Sequence, residues 1–272
     1  MLTVNLGPLA VPINLLLLIA ALLVAARVGH VVGRAQKIGI GNTLSDMLIA
    51  AVLVARITFV VIWFDSYRST PWAMLDIRDG GFTPWAGIGA ALLLAIWRGA
   101  RQPALRKPLI LGLAAGVTVW GCAMFVALRL TENPALPKLA LTTLADKPTN
   151  LAQVAAGKPM VVNLWATWCP PCRREMPVLA AAQKTEIGIR FVFVNQGEDG
   201  ATVLRYLTAA GLDLANVLRD PGSRLGREVG SGALPTTLFY DANGKLLDTH
   251  LGPLSAASLA SKLSQLRPNP VK

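Results

Sequence analysis

Long apolar runs dominate the first half of the chain. Four of them lie at about residues 9–26, 44–64, 82–97 and 108–128, with charged residues between them. The last run spans 21 residues without a charge, and about 20 apolar residues in a helix cross the ~30 Å of hydrocarbon in a bilayer. The third run is shorter and contains glycine. The pattern predicts a four-helix transmembrane domain over residues 1–130.

The second half has the shorter, alternating pattern of a folded domain. Residues 160–166 form an apolar run typical of a buried strand, and a helical pattern follows to residue 182. The rest predicts a strand at 190–195, a helix at 202–210, a strand at 233–240, a turn at Asn243-Gly244 that opens a hairpin, and a helix at 255–266. The predicted fold is therefore a four-span helical bundle followed by an α/β domain over residues 138–272.

Composition agrees with a membrane half. Apolar residues make up 53% of the chain and charged residues only 15%, which is unusual for a soluble protein. The net charge of +11 is spread over both halves, and no basic cluster with interleaved aromatic residues indicates a nucleic-acid partner. Binding to the anionic headgroups of a lipid bilayer is a sufficient explanation for the basic charge.

The charges between the runs predict an orientation. The first and third connections are basic and the second is mixed; the basic residues are Arg27, Arg34 and Lys37, then Arg98, Arg101, Arg106 and Lys107. By the positive-inside rule both basic connections are cytoplasmic, so the two chain ends lie outside. The proline-bearing linker at 131–137 is expected to be a semi-rigid tether.

Two cysteines lie where the strand pattern at 160–166 gives way to a helix. Cys169 would occupy the first turn, where unpaired backbone N–H groups and the helix dipole stabilise a thiolate. Such placement lowers a cysteine pKa from about 8.5 into a range of roughly 3.5–7.5. Cys169 is thus the predicted nucleophile, and Cys172, nearly one turn later, is placed to resolve a mixed disulfide.

Other uses of the pair are weaker. A structural zinc site needs four ligands, and the chain has three cysteines and two histidines. A disulfide closing so short a loop constrains little of the unfolded chain. Copper(I) bound by the two thiols stays open as the alternative, because soft thiolates suit it.

Residues 137–272 resemble the membrane-anchored thioredoxin-like reductases of the TlpA/ResA type. The resemblance rests on Gly157-Lys158-Pro159, on the run at 163–172 that ends in Trp-Cys-Pro-Pro-Cys, and on Leu234-Pro235-Thr236-Thr237. It implies that Pro235 is a cis-proline whose loop faces the two sulfurs and pairs with the substrate backbone. It further implies that Glu175 handles protons for the resolving thiol and that Trp168 shields the attacking sulfur.

The same resemblance implies the setting of the reaction. The protein would be a multi-pass protein of the bacterial inner membrane with its thioredoxin-like domain in the periplasm. It would reduce protein disulfides such as those of apocytochrome c, copper sites or oxidised thiols. The redox-active Cys169–Cys172 disulfide would serve in place of a cofactor or metal, and a membrane thiol-transporter of the DsbD/CcdA kind would supply electrons.

Residues 1–107 resemble the amino-terminal part of prolipoprotein diacylglyceryl transferase, in a truncated and degenerate form. Leu6-Gly7-Pro8, residues 55–60 and Asp79-Gly80-Gly81 carry this resemblance. Trp85 stands where that family has a functional histidine, and neither the later spans nor a tyrosine of the first span is present. Because an indole cannot shuttle a proton as imidazole does, we do not expect acyl transfer.

We also predict the surroundings of four further residues. Glu198 and Asp199 are predicted to be ordinary loop acids after the second strand. His250 is expected at the surface, and Cys122, within the fourth apolar run, is expected to be a small buried residue.

Overall fold

The computed structural model describes residues 3–6, 9–34, 38–68, 70–130 and 136–267. The first five positions of the predicted linker at 131–137 lie outside these described residues. The chain divides into two compact units. The helical unit comprises Val11–Phe64 and Gly81–Glu132, and the sheet unit comprises Met1–Ala10, Asp65–Gly80 and Asn133–Lys272.

The amino-terminal half is helical after two short paired strands. β1 (Thr3–Leu6) and β2 (Leu9–Pro12) precede the helices α1 (Ile13–Gly33), α2 (Gly41–Ile62), α3 (Pro84–Arg101) and α4 (Arg106–Leu130). Among the described residues, three helical segments are long and apolar enough to cross a bilayer, at Ile13–Gly33, Gly41–Ile62 and Pro103–Ala127. α3 is not one of them, since its 18 residues end with Arg98 and Arg101 in the last turn. The helices of the four-span prediction are therefore present, and three of them meet the requirements of a span.

Glycine allows close helix packing in the helical unit. α1 packs against α4, and α2 packs against α3. A Cβ atom on Gly112 of α4 would lie 2.7 Å from the backbone oxygen of Ala25, and one on Gly87 would lie 2.6 Å from that of Ala51. Small residues let helix backbones approach closely where lipid gives no hydrophobic drive to association.

Beyond the short amino-terminal pair, the described residues of the sheet unit form seven strands. They are β3 (Leu141–Thr143), β4 (Pro148–Thr149), β5 (Met160–Trp165), β6 (Arg190–Gln196), β7 (Val217–Asp220), β8 (Thr236–Tyr240) and β9 (Leu246–Leu251). The sheet order is β4-β3-β7-β6-β5-β8-β9, with β5, β6 and β7 parallel and β8 antiparallel to β5. The unit's helices are α5 (Leu151–Ala155), α6 (Pro170–Thr185), α7 (Gly200–Ala209), α8 (Arg224–Glu228) and α9 (Ala256–Leu266).

Both faces of this sheet are covered. All six residues of β5 are buried, so the strand reads as a continuous apolar run with one polar interruption at Asn163. Trp165 and Phe193 pack on one face with residues of α6 and α9, while Val162 and Val194 pack on the other. Three central parallel strands flanked by an antiparallel hairpin, with helices on both faces, form the thioredoxin-like architecture that the resemblance implied.

The sequence pattern missed the far side of the sheet. β7 has only four residues, and its last two, Arg219 and Asp220, are charged yet buried. Arg219 pairs with Asp146, 73 positions earlier in the chain. Asp220 accepts a hydrogen bond from the backbone N–H of Leu225 at 2.7 Å. The strand predicted at 233–240 also begins later, at Thr236, after the proline.

Candidate active site

Cys169 occupies the N-cap of α6, directly after the loop that follows β5. The first two helical positions are Pro170 and Pro171, which lack N–H groups, so Cys172 carries the first free backbone donor of the helix. That N–H donates to the Sγ atom of Cys169 at 3.2 Å. The sulfur of Cys169 therefore lies at the positive end of the helix dipole, where negative charge is stabilised.

The two cysteines form a disulfide and differ in exposure. Cys169 and Cys172 are bonded to each other. Cys169 retains 4% of its surface exposed and Cys172 none. Cys169 is therefore the less buried residue of the pair.

Glu175 is an almost fully buried acid three residues after Cys172, on the same face of α6. Its Oε1 atom accepts from Asn163 Nδ2 at 2.7 Å, and its Oε2 atom accepts from the backbone N–H of Leu254 at 2.9 Å. Burial raises the pKa of the carboxyl to about 7, although both hydrogen bonds act in the opposite direction. The group can therefore take up or release a proton near neutral pH.

Asn163 ties this acid to the centre of the sheet. Its side-chain nitrogen also donates to the hydroxyl of Thr237 on β8 at 3.0 Å. Its Oδ1 atom is buried and has no hydrogen-bond partner among the described residues. Asn163 thus holds the Glu175 carboxylate by a hydrogen bond from β5. This contact is the reason for an amide in a strand that is otherwise apolar.

Pro235 follows a cis peptide bond from Leu234, as the resemblance implied. Leu234 packs against the apolar cluster that contains both cysteines. The loop before β8 is held by hydrogen bonds of Thr236, whose hydroxyl contacts the backbone oxygen of Ala233 at 2.6 Å and the hydroxyl of Ser231 at 2.6 Å. The proline loop is thus a fixed feature next to the cysteine cluster.

Trp168 is two-thirds exposed, with 67% of its surface accessible. Together with Gln196, Arg227 and Leu234 it lines an open cavity of about 280 Å³. Its indole is thus available to a bound partner as well as to the neighbouring sulfur. The shielding role that the resemblance gives it stays a prediction.

Glu198 is more than a loop acid. Its carboxylate accepts from the backbone N–H of Thr167 at 2.8 Å, from the Thr167 hydroxyl, and from Asn195 Nδ2 at 2.6 Å. Thr167 belongs to the turn immediately before Cys169, so Glu198 fixes the backbone that presents the sulfur. Sequence reasoning missed this, although parallel pairing of β5 and β6 brings their carboxyl ends together. Asp199 has a local role, because it caps α7 by accepting from Thr202 N at 2.9 Å.

We expect Glu198→Gln to loosen this turn, because an amide replaces one acceptor with a donor facing the Thr167 N–H or hydroxyl. A hydrogen bond to a charged group contributes about 1.5–3 kcal/mol, so the thermal midpoint of the full chain in detergent should fall by several degrees. Glu228→Gln, at an exposed acid of α8, is the matched control. An unchanged midpoint for Glu198→Gln would show that the contacts to Thr167 contribute nothing.

His250 and Cys122 do not lie where the sequence predicted. His250 of β9 is only 6% exposed, and its Nε2 atom lies 3.4 Å from the backbone oxygen of Pro253. Burial lowers its pKa to about 4, so the ring is neutral at physiological pH. The surface prediction was wrong because β9 is covered along this stretch. Cys122 is free and exposed on α4, not buried.

Metal-ligating side chains are not grouped in the part of the chain that the structure describes. No cluster of three or more His, Cys, Asp or Glu residues there could hold an ion. The described side chains at the site offer a dithiol, a neighbouring acid whose pKa burial raises to about 7, and a proline loop held by hydrogen bonds.

Comparison with known proteins agrees with this site. The redoxin family matches residues 131–264. The thiol:disulfide interchange protein HelX of Rhodobacter capsulatus is 32% identical over 144 residues, which cover 53% of this chain and 80% of HelX. The chain belongs to the thiol:disulfide interchange proteins. It is also similar to the thiol-disulfide oxidoreductase ResA of Geobacillus thermodenitrificans, at 28% identity over 59% of this chain and 92% of ResA.

A solved structure of an interchange protein covers the same half. The thiol:disulfide interchange protein of Chlorobium tepidum is 28% identical, covers 50% of this chain and 97% of its own, and has a TM-score of 0.44. The matches to HelX and ResA assign thiol–disulfide oxidoreductase chemistry to the carboxyl-terminal half. The helical half lies outside the redoxin match.

Proposed function

We propose that this interchange protein is a membrane-anchored reductase of protein disulfides that acts in the periplasm. The observation that carries the proposal is the arrangement of the two sulfurs. Cys169 sits at the helix N-cap with its sulfur on the Cys172 N–H, and Cys172 is fully buried behind it. This geometry favours a thiolate at the outer position and a protected thiol at the inner one.

The reaction follows in two displacements. The Cys169 thiolate attacks one sulfur of a substrate disulfide, and the other substrate sulfur leaves as a thiolate and takes up a proton. Cys172 then gives its proton to Glu175 and attacks the Cys169 sulfur of the mixed disulfide. The Cys169–Cys172 disulfide forms, the second substrate thiolate leaves and is protonated, and two electrons have passed to the substrate.

The other predicted site residues assist these displacements. The Pro235 loop would hold the substrate backbone against the sulfurs, and Trp168 would cover the Cys169 sulfur until a substrate displaces it. Support comes from the contact of Leu234 with the cysteine cluster and from the cavity that Trp168 and Leu234 line together.

The anchor and partners are part of the same proposal. Three apolar helices together with α3 would form a four-span, multi-pass anchor in the bacterial inner membrane, with the thioredoxin-like domain outside. Electrons would come from a membrane thiol-transporter of the DsbD/CcdA kind. Clients would be disulfides of apocytochrome c, of copper-site proteins or of oxidised periplasmic thiols. Support comes from the apolar helices and from the similarity to HelX and ResA.

Equilibration of the full chain in detergent with glutathione buffers tests the direction of electron flow. We expect a reduction potential near the thioredoxin end, about −270 mV, rather than near the strong-oxidant end at about −120 mV. A value near −120 mV would overturn the reductase proposal. Stoichiometric, tight copper(I) binding without reduction of a protein disulfide would instead favour the copper(I)-binding alternative.

The likeness of residues 1–107 to prolipoprotein diacylglyceryl transferase calls for a separate assay. We propose that this half anchors the protein without acyl transfer, because Trp85 stands where that family has its histidine. Transfer of labelled diacylglycerol from phospholipid to a lipoprotein peptide by the purified chain would overturn this.

A further inference from the structure

A segment outside the thioredoxin-like fold packs against the Glu175 side of the site. Residues 65–80, which connect α2 and α3 in sequence, belong to the sheet unit. They contain short 3₁₀ helices, among them Pro71–Leu75 and Ile77–Asp79. We call residues 65–80 the clamp segment. Neither the thioredoxin-like fold nor the two-step displacement requires it, so its contacts need a separate explanation.

The clamp segment meets the turn that leads from β9 into α9. The hydroxyl of Ser255 donates to Asp79 Oδ2 at 2.8 Å, and the hydroxyl of Tyr67 donates to the same oxygen at 3.0 Å. Both Tyr67 and Asp79 are buried, at 1% and 4% exposure. Ser255 is the N-cap of α9 and follows directly on Leu254, whose N–H holds Glu175.

Two further close approaches join the end of the clamp segment to the chain around the turn at 251–255. Gly80 has a φ of +65°, and a Cβ atom there would lie 2.8 Å from Cε1 of His250. A Cβ on Gly252 would lie 3.5 Å from the backbone oxygen of Arg78. The end of the clamp segment therefore packs against both sides of the turn at 251–255, and glycine is needed at Gly80 for both its backbone conformation and the close approach.

A cavity of about 420 Å³ is lined by the clamp segment, by α6 and by residues 253–256, and Glu175 is among its lining residues. Its titratable and charged lining consists of Tyr67, Asp76 and Asp79 from the clamp segment and Arg174 and Glu175 from α6. Residues 253–256, which also line it, contain no titratable side chain, and Asn163 and Thr237 are the polar contacts on the β5 and β8 side. Cys172 lies one turn before Glu175 on α6. The cavity is roomy and polar enough to admit water.

We propose that Asp79 is a positioning residue for Glu175: it anchors Ser255, and so holds the Leu254 N–H on the carboxylate, while the cavity beneath the clamp segment supplies the water that exchanges protons with Glu175. This inference rests on the proposed function, in which Glu175 takes the proton of Cys172. It adds that residues between two predicted spans tune the proton step of the redox site.

The direction of the effect follows from the bond that is lost. The Leu254 N–H stabilises the charged form of Glu175 and thereby lowers the pKa that burial raises. If Asp79 no longer anchors Ser255, the turn loosens and this support weakens. Glu175 should then titrate at higher pH, and the pH at which mixed-disulfide resolution reaches half its maximal rate should rise by about one pH unit.

The test measures that pH profile on the full chain in detergent. Pre-reduced protein is mixed with a peptide disulfide, and the mixed-disulfide and oxidised forms of the protein in acid-quenched samples are separated by mass and quantified over time. Asp79→Ala and Ser255→Gly should both raise the midpoint; glycine is a good N-cap, so the second variant costs α9 only a few tenths of a kcal/mol. Asp79→Asn keeps an acceptor oxygen for both hydroxyls and should restore most of the wild-type profile.

Asp65→Ala is the matched control, because Asp65 lies in the same segment but is exposed and pairs with Arg68. It should leave the midpoint unchanged. If Asp79→Ala and Ser255→Gly both leave the midpoint where it is, the inference is overturned. It also fails if Asp79→Ala still shifts the profile in a Glu175→Gln background, since Asp79 would then act by another route. An unaltered profile for Glu175→Gln alone would instead refute the proton role of Glu175 in the proposed function.

Discussion

Replacing Cys169 with serine is expected to abolish disulfide exchange, by roughly 10³-fold or more. A serine hydroxyl is not ionised at physiological pH and cannot form the mixed disulfide on which both displacements depend. Cys172→Ser should behave differently, because the first displacement needs only Cys169. We expect it to accumulate mixed disulfides with substrate proteins, which can be isolated from cells under non-reducing conditions and identified.

Cys122→Ser is the matched control for both variants. Cys122 is free and exposed on α4, and it belongs to the other compact unit, so this substitution should leave the exchange rate unchanged. Mixed disulfides formed by Cys169→Ser through Cys172 would contradict the assigned order of attack. Their absence in Cys172→Ser would remove the support for a nucleophile at Cys169.

Cys169 and Cys172 could be predicted from the sequence because the features that identify them are adjacent in the chain. A buried strand, a cysteine pair and the start of a helix follow one another between residues 160 and 172, so no tertiary information was needed to place Cys169 at a helix N-terminus. The cis bond before Pro235 came from the family resemblance. No pattern of hydrophobic positions distinguishes it from a proline that merely opens a strand.

The supporting residues could not be predicted because they act across long separations. Glu198 contacts Thr167 over 31 positions, and Ser255 contacts Asp79 over 176. His250 was expected at the surface, but residues distant from it in the chain cover it, since Gly80 lies against its ring. β7 was missed because half of it is charged, and the partner that allows Arg219 to be buried, Asp146, lies 73 positions away in the chain.

Glu175→Gln is expected to stabilise the oxidised protein at alkaline pH, although it removes an acid from the proposed mechanism. Burial raises the pKa of Glu175 from 4.5 to about 7. The folded state therefore binds the proton more tightly than the unfolded state, so stability is fully retained below about pH 4.5 and falls as the pH rises towards 7. Above that, the cost is on the order of 3 kcal/mol, at 1.36 kcal/mol per pKa unit.

Glutamine removes this cost because it carries no charge. If the Asn163 amide turns over, its Oδ1 atom faces the glutamine Nε2 group as an acceptor, at the cost of the hydrogen bond from Asn163 Nδ2 to the Thr237 hydroxyl. The difference in free energy of unfolding between Glu175→Gln and the wild type should thus increase as the pH rises from 5 to 8. The comparison cancels the contribution of His250, whose pKa burial lowers to about 4, and thermal unfolding of both disulfide-intact chains in detergent at several pH values measures the difference.

Glu228→Gln serves again as the control, because it makes the same substitution at an exposed position of α8. A Glu175→Gln variant that is less stable than the wild type at pH 8 would mean that the hydrogen bonds from Asn163 and Leu254 outweigh the cost of burial. In that case Glu175 would be ionised well below neutral pH, and it would be available as a base but not as the acid of the reverse step. The stability of the fold and the proposed proton step therefore both depend on the balance between burial and hydrogen bonding at the Glu175 carboxyl. Unfolding measured at several pH values reports on that balance.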